Sequence, residues 1–155
     1  MRIRLLAVGR RPPRWAEAAF RDYAGRLPAA LKLEAPLLPL ARGHGHHAAR
    51  AVADEGARLC AALGPRDRVI ALEESGEAWS TAALAERLGR WEAAGDDVAL
   101  LVGGPDGLDA SCLERATAKW SLSRLTLPHA LVRVVVAEQL YRAWSFNHGH
   151  PYHRG

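Results

Sequence analysis

The sequence contains, at residues 98–108, the stretch Val98-Ala99-Leu100-Leu101-Val102-Gly103-Gly104-Pro105-Asp106-Gly107-Leu108. Its first five residues are apolar without interruption, as expected of a strand whose two faces are both covered by helices in a mostly parallel sheet. The glycines that follow predict a turn at the carboxyl end of this strand, the edge at which such sheets bind ligands. The stretch therefore predicts an α/β fold with a central strand and a ligand site directly after it.

Short β-rich runs alternate with segments of helical period along the rest of the chain. The predicted strands are Ile3 to Val8, Leu31 to Leu40, Val69 to Leu72, Val98 to Val102 and Leu122 to Leu127. The predicted helices are Arg14 to Arg26, Ala48 to Leu63, Thr81 to Ala94, Ser111 to Ala118 and Ala130 to Ser145. Helix start and stop signals are supplied by Pro13, Ser80 and Gly95. This alternation predicts a mostly parallel sheet flanked by helices.

The bulk composition is that of a globular protein with a slight basic excess. Hydrophobic residues make up 49% and charged residues 25% of the 155 residues, and we expect residues 1–155 to form one domain. Lysine and arginine outnumber aspartate and glutamate by 21 to 17. This balance favours a polyanionic partner over an acidic one.

Cysteine usage and hydropathy indicate where the protein works. Cys60 and Cys112 are far apart and form no C-x-x-C motif, which favours reduced thiols over a disulfide framework. The apolar run near the amino terminus is shorter than a signal-peptide core, and no run approaches the length of a membrane span. We therefore predict a cytoplasmic protein with no membrane partner.

The segment Ser121 to His129 resembles the glycine turn in placing small polar groups, a proline and a histidine at a predicted strand end. Two such loops can form one pocket. His129 alone is more often a structural histidine or a helix cap, but its position beside the glycine turn favours a site. The chain has no G-x-G-x-x-G, P-loop or G-x-S-x-G motif. This removes the main support for a dinucleotide-binding protein, a P-loop nucleotide-binding protein or an α/β-hydrolase.

The last predicted helix is apolar around most of its circumference, which indicates burial on several sides. We predict that it forms a dimer interface through Leu131, Val135, Leu140 and Trp144. Glu138 and Arg142 are four residues apart on this helix. Such a pair is commonly a surface ion pair, but on an otherwise apolar helix it also indicates a functional role.

Two polar segments remain. The tail from His148 to Gly155 contains Tyr152, His153 and Arg154, groups suited to stacking on an unpaired base and contacting phosphates, although such a terminus is often merely solvated. We expect the tail to become ordered only on its substrate. The loop His44 to His47 lacks zinc-ligand spacing, so we predict no metal and a mobile, mildly basic loop that faces RNA.

Taken together, these motifs resemble the SPOUT methyltransferases that N3-methylate a pseudouridine of large-subunit (23S) ribosomal RNA, the RlmH type. The resemblance rests on Ile3 to Gly9, Leu100 to Leu108, Ser121 to His129, Leu131 to Val134, Glu138 to Trp144 and His150 to Arg154. It covers essentially the whole chain. The histidine-rich loop is the one departure from the family pattern.

The resemblance implies a carboxyl-terminal trefoil knot, a homodimer and S-adenosyl-L-methionine (SAM) as cofactor. It implies a SAM site formed by Leu72, Gly103, Gly104, Leu122, Ser123, Arg124, Leu125, Thr126 and Leu127. For the reaction it implies methylation in helix 69 of 23S ribosomal RNA within the ribosome, with RNA contacts from Tyr152, His153 and Arg154. The catalytic candidates are His129, Glu138 and Arg142; either His129 or Glu138 accepts the N3 proton.

Two other functions compete with this interpretation. A non-catalytic ribosome-binding or assembly factor would explain the basic balance and the tail without needing the glycine turn. A SPOUT methyltransferase that acts on transfer RNA would share the knot and the cofactor, but the short chain has no added RNA-binding segment. Affinity for SAM distinguishes the first of these from a methyltransferase, and the identity of the methylated RNA distinguishes the second.

Overall fold

The computed structural model describes residues 1–154 and is built on one sheet. The strands are β1 (Arg2–Val8), β2 (Lys32–Glu34), β3 (Leu37–Leu38), β4 (Arg68–Ala78), β5 (Val98–Val102) and β6 (Ala118–Ser121). Their order is β2-β1-β5-β4-β6, with β3 also beside β1, and every pair of these strands is parallel. The predicted α/β class with a mostly parallel sheet is confirmed.

Within residues 1–154, five α-helices flank the sheet, and the last of them follows β6: α1 (Arg14–Gly25), α2 (Ala48–Ala61), α3 (Thr81–Ala94), α4 (Ala110–Arg115) and α5 (His129–Asn147). A 3₁₀ turn, Pro151–Arg154, follows α5. The predicted helix signals are confirmed, since Pro13 is the N-cap of α1 and the Ser80 hydroxyl accepts from the Ala83 amide at 3.1 Å. Gly95 ends α3 in the left-handed conformation at φ 68°.

The central strand β5 divides two cores. Val98, Leu100 and Val102 point into a core that residues of α1, α3 and α5 complete. The alternate residues, Ala99 and Leu101, point into a smaller core that α2 and α4 cover. All five side chains are buried, as the uninterrupted apolar run predicts for a strand with helices on both sides.

Four predicted elements have different bounds in the structure. The strand predicted over Val69 to Leu72 continues to Ala78 as β4. Leu122 to Leu127 is not a strand; β6 lies earlier in the chain, because Trp120 is buried in the larger core and pairs with Leu72 of β4. Consequently the helix predicted over Ser111 to Ala118 ends at Arg115. The strand predicted over Leu31 to Leu40 is interrupted around Pro36, whose missing N–H cannot join a ladder, and becomes β2 and β3.

The predicted dimer face of α5 is wrong at one residue. Leu140 is fully buried in the protomer's own core, where α5 packs against α1 and α3. By contrast, Leu131 is 39% exposed and Phe146 is 45% exposed, while Val135 and Trp144 are half-buried. An apolar surface therefore remains on α5, but Leu140 does not contribute to it.

Candidate functional site

A cavity of about 540 Å³ opens at the carboxyl ends of β5 and β6, beside residues 72–75 in the middle of β4. It lies where the glycine turn was predicted to bind a ligand, at the edge that parallel sheets use for this purpose. Its volume is in the range of cavities that hold cofactors. The lining residues are Leu72, Glu73, Glu74, Ser75, Val102, Gly103, Gly104, Pro105, Gly107, Leu108, Trp120, Leu122, Ser123, Leu125, Thr126, Leu127, His129 and Val132.

The glycine loop, residues 103–108, has no room for a side chain at Gly103. A Cβ atom on Gly103 would lie 2.4 Å from the carbonyl carbon of Gly107, far inside contact distance. Gly107 has φ +86°, and its amide donates to the Gly104 carbonyl at 3.1 Å to close the turn. Three glycines of the loop, Gly103, Gly104 and Gly107, line the cavity beside Pro105 and Leu108, so that a ligand can approach the glycine backbone closely.

The opposite wall is an irregular loop, residues 122–127, that follows β6. Its turn is fixed locally: the Ser121 hydroxyl donates to the Ser123 carbonyl at 3.0 Å, and the Ser123 hydroxyl accepts from the Leu125 amide at 2.9 Å. Leu122 and Leu127 line the cavity, whereas Arg124 is exposed and is not among the lining residues. Eight of the nine predicted cofactor residues thus lie together, and Arg124 lies beside them.

His129 is the first residue of α5 and lines the cavity. It also borders a smaller cavity of about 240 Å³, whose other walls include Gly9, Arg10 and Pro105. The ring of His129 therefore lies between the cofactor-sized cavity and the loop after β1.

Two acidic residues of the cavity were missed by sequence reasoning. Glu73 and Glu74 lie within β4 where its pairing with β6 is irregular, since Leu72 and Glu77 are both in register with Trp120. The extra residues bulge toward the cavity, and their carboxylates favour a ligand that carries positive charge. Gly76 was the available signal, because a Cβ there would lie 2.8 Å from the Lys119 carbonyl carbon.

A second cluster forms on α5, outside the cavity. The Arg142 guanidinium donates from Nε at 2.9 Å and from Nη2 at 2.5 Å to Glu138 Oε1, and the Tyr152 hydroxyl donates to the same oxygen at 3.0 Å. Burial and the bonded Glu138 raise the pKa of Tyr152, so the phenol remains protonated. The cluster lies outside the cavity of its own protomer, because Val132 is the last lining residue in the described part of the chain.

The carboxyl-terminal tail, as far as Arg154, is folded against α5. The ring of Tyr152 lies 4.6 Å from that of Tyr141, and the Arg142 guanidinium lies 5.1 Å from the Tyr152 ring centre. The His153 ring contacts the His150 carbonyl at 2.6 Å, and Arg154 is exposed. The expectation that the tail orders only on its substrate is therefore wrong, because aromatic packing and the Glu138 bond hold it in the free protein.

The histidine-rich loop is anchored through His44. Its Nε2 lies 2.5 Å from Oε1 of Glu55 on α2, and its Nδ1 lies 2.5 Å from Oδ2 of Asp106 in the glycine loop. These two bonds raise the pKa of His44 above its usual value. Both ring nitrogens of His44 are engaged by carboxylates, which ties the loop to α2 and to the glycine loop, while His46 and His47 are exposed.

The whole chain also matches known methyltransferases. The family described as "Predicted SPOUT methyltransferase" matches residues 1–153. The chain belongs to the SPOUT methyltransferase family. A relative from Alkalilimnicola ehrlichii, "Ribosomal RNA large subunit methyltransferase H", is 56% identical, and one of the same name from Thioalkalivibrio sulfidiphilus is 53% identical; each alignment covers 99% of both chains.

A solved structure shares the fold of this SPOUT methyltransferase. "The structure of a probable methylase family protein from Haemophilus influenzae Rd KW20" superimposes with a TM-score of 0.59 at 14% identity and covers 96% of this chain and 69% of that one. Family membership confirms the predicted resemblance and requires a methyl donor, while the trefoil knot remains a prediction. Within residues 1–154, no helix has the length and apolarity needed to cross a bilayer.

Proposed function

We propose that this SPOUT methyltransferase transfers a methyl group from SAM to N3 of a pseudouridine in helix 69 of 23S ribosomal RNA, on the assembled ribosome in the cytoplasm. One observation carries the proposal. The cavity at the glycine loop belongs to a chain that is 56% identical over its full length to a protein called "Ribosomal RNA large subunit methyltransferase H".

The cavity fits SAM in size, wall chemistry and charge. Leu72, Leu122 and Leu127 supply apolar surface on which an adenine ring can lie. The bare backbone of the glycine loop can approach and hydrogen-bond the polar edges of the ligand. Glu73 and Glu74 suit a ligand with a sulfonium and an ammonium group. The bound cofactor supplies an electrophilic methyl group.

The reaction moves a methyl group from sulfur to nitrogen, and the N3 proton of the base must leave. The cavity walls position the acceptor in line with the methyl group, which accounts for much of the rate gain in such a displacement. His129 or Glu138 accepts the N3 proton. Arg142 stabilises the negative charge that develops on the neighbouring carbonyl oxygen.

A homodimer completes the site. Glu138 lies nine residues after His129, about 13 Å further along α5 at the usual helical rise, and is outside its own cavity. The exposed side chains of Leu131 and Phe146 on the same helix provide an apolar surface for a second copy. We therefore place the Glu138–Arg142 pair and the tail of one protomer beside the cavity of its partner.

The tail recognises the RNA. The Tyr152 ring can stack on the unstacked base, and His153 and the exposed Arg154 can contact phosphates. Because the tail is already folded on α5, it presents these groups with little further loss of conformational entropy.

Mass spectrometry of ribosomal RNA tests the function. Ribosomes from cells that lack this gene are incubated with the purified protein and SAM, and helix 69 is then compared with untreated and wild-type RNA. The proposal requires one added methyl group on a pseudouridine of helix 69. Methylation of transfer RNA instead would assign a different SPOUT substrate. SAM binding absent by calorimetry, with ribosome binding retained, would assign a non-catalytic factor.

A further inference from the structure

The histidine-rich loop and the glycine loop are joined by three side chains far apart in sequence. His44 lies 11 residues before Glu55 and 62 residues before Asp106, yet it contacts both carboxylates. The side chain of Glu55 is 2% exposed and that of His44 is 15% exposed, so the connection is largely shielded from water. Asp106 extends from the outer side of the glycine loop and is 40% exposed.

Glu55 lies directly beneath the glycine loop. A Cβ on Gly104 would meet Glu55 Oε2 at 2.6 Å, so the carboxylate occupies the space that a side chain at position 104 would need. Oε1 accepts from the Ala41 amide at 3.1 Å, whereas Oε2 has no hydrogen-bond partner within residues 1–154. A buried carboxylate is costly unless it is paired with a cation, and His44, when protonated, supplies that cation.

We propose that His44 is a positioning residue of the methyl-transfer site: by linking Glu55 to Asp106, it holds the glycine loop in the shape that receives the methyl donor. The identity of that donor, SAM, rests on the proposed function. None of His44, Glu55 and Asp106 lines the cavity, so His44 acts on the site through the shape of the glycine loop. Glu55 supports the loop from α2, and Asp106 fastens its outer end.

The link requires a protonated imidazole. A neutral ring has one N–H and one lone pair, and the lone pair would face a carboxylate oxygen. Glu55 from α2 and Asp106 from the glycine loop are the charged groups that contact His44 in the described part of the chain. The pKa of His44 is raised by these bonds, so their contribution is present at low pH and is lost as the pH rises through that raised value.

Calorimetric titration of the full-length protein with SAM between pH 6 and pH 9 tests the proposal. His44→Ala should bind SAM about tenfold more weakly than the wild type at pH 6, the loss expected for charge-assisted hydrogen bonds, and the difference should shrink toward pH 9. His44→Lys, whose ammonium stays charged over this range and can donate to both carboxylates, should retain binding and abolish the difference in pH profile. His46→Ala, an exposed histidine in the same loop, should match the wild type.

Hydrogen exchange of the Gly104 and Gly107 amides provides a readout that does not need SAM. Loss of the link should accelerate exchange in His44→Ala and restore protection in His44→Lys. If His44→Ala does not fold, Asp106→Asn weakens only the outer contact and should show a smaller loss of the same kind. Wild-type affinity, pH profile and amide exchange in His44→Ala would overturn the proposal. If the variants show these exchange changes but the wild-type protein binds no SAM, the role of His44 in the loop stands and the proposed function is overturned.

Discussion

Tyr152 donates its hydroxyl proton to Glu138 Oε1 at 3.0 Å, and Arg142 donates two N–H groups to that same oxygen. One carboxylate oxygen therefore connects the tail, which we assign to RNA binding, with the pair that we assign to chemistry. A substrate that displaces the Tyr152 hydroxyl changes the surroundings of Glu138 directly. The bond thus offers a physical route by which RNA binding can prepare the Glu138–Arg142 pair.

Removal of the tail should separate methylation from cofactor binding. A chain that ends at Gly149 loses Tyr152, His153 and Arg154 but keeps every residue that lines the cavity. We expect SAM affinity within about twofold of the wild type and no detectable methylation of ribosomes, measured by calorimetry and by transfer of labelled methyl groups. Normal methylation by the truncated protein would show that the tail is not needed for RNA recognition.

Substitution of one glycine should remove cofactor binding. In Gly103→Ala the new methyl group would meet the Gly107 carbonyl carbon at 2.4 Å, and backbone atoms cannot move away as a flexible side chain can. The loop must distort, so SAM affinity should fall at least about tenfold, as expected for a steric conflict of a few kcal/mol. Gly25→Ala is the matched control, since a Cβ there meets nothing within 4 Å. Equal SAM affinity in both variants would place the cofactor elsewhere.

The central part of the fold could be predicted because its pattern is local. Val98 to Val102 has no polar residue, as a strand covered on both faces requires, and the glycines that follow limit it to the length of a strand. Leu122 to Leu127 shows why the same reasoning failed nearby. Its three leucines among polar residues suggested a strand, but Leu122 and Leu127 line a cavity and Leu125 is 75% exposed. The strand lies earlier in the chain, where the burial of Trp120 fixes it.

Sequence motifs predicted the residues of the candidate site that lie within the motifs. They could not predict the residues that reach the site through contacts between distant parts of the chain. Gly103 and His129 line the cavity as expected. The contact of His44 with Asp106 joins residues 62 positions apart, and no spacing rule relates them. Glu73 depends on an irregular register between β4 and β6, which also cannot be derived from periodicity.

The exposed apolar surface of α5 should hold the dimer together. Leu131 is 39% exposed and Phe146 is 45% exposed, so aspartate at either position adds a charge without disturbing the protomer core. We expect Leu131→Asp combined with Phe146→Asp to give a folded monomer in sedimentation velocity. Leu125→Asp, at a 75% exposed leucine outside α5, should remain dimeric. A wild-type protein that is monomeric at micromolar concentration would contradict the prediction.

Two arginines near the carboxyl terminus should have different kinetic roles. Arg142 donates hydrogen bonds to Glu138, and its guanidinium lies over the Tyr152 ring. Arg154, by contrast, is exposed at the end of the 3₁₀ turn. Arg142→Ala removes a group assigned to charge development during the reaction, so turnover should fall about a hundredfold even at saturating ribosomes. Arg154→Ala removes a phosphate contact, so the KM for ribosomes should rise while turnover is retained.

Salt dependence distinguishes the two effects. Loss of one phosphate contact should reduce the dependence of ribosome affinity on salt concentration by about one unit in the log–log slope for Arg154→Ala. Arg142→Ala should leave that slope unchanged, because its guanidinium is engaged with Glu138 and not assigned to a phosphate. Arg154→Lys is the control, since it keeps the charge and should keep the slope. A turnover defect in Arg154→Ala with no change in slope would instead place Arg154 in the chemical step.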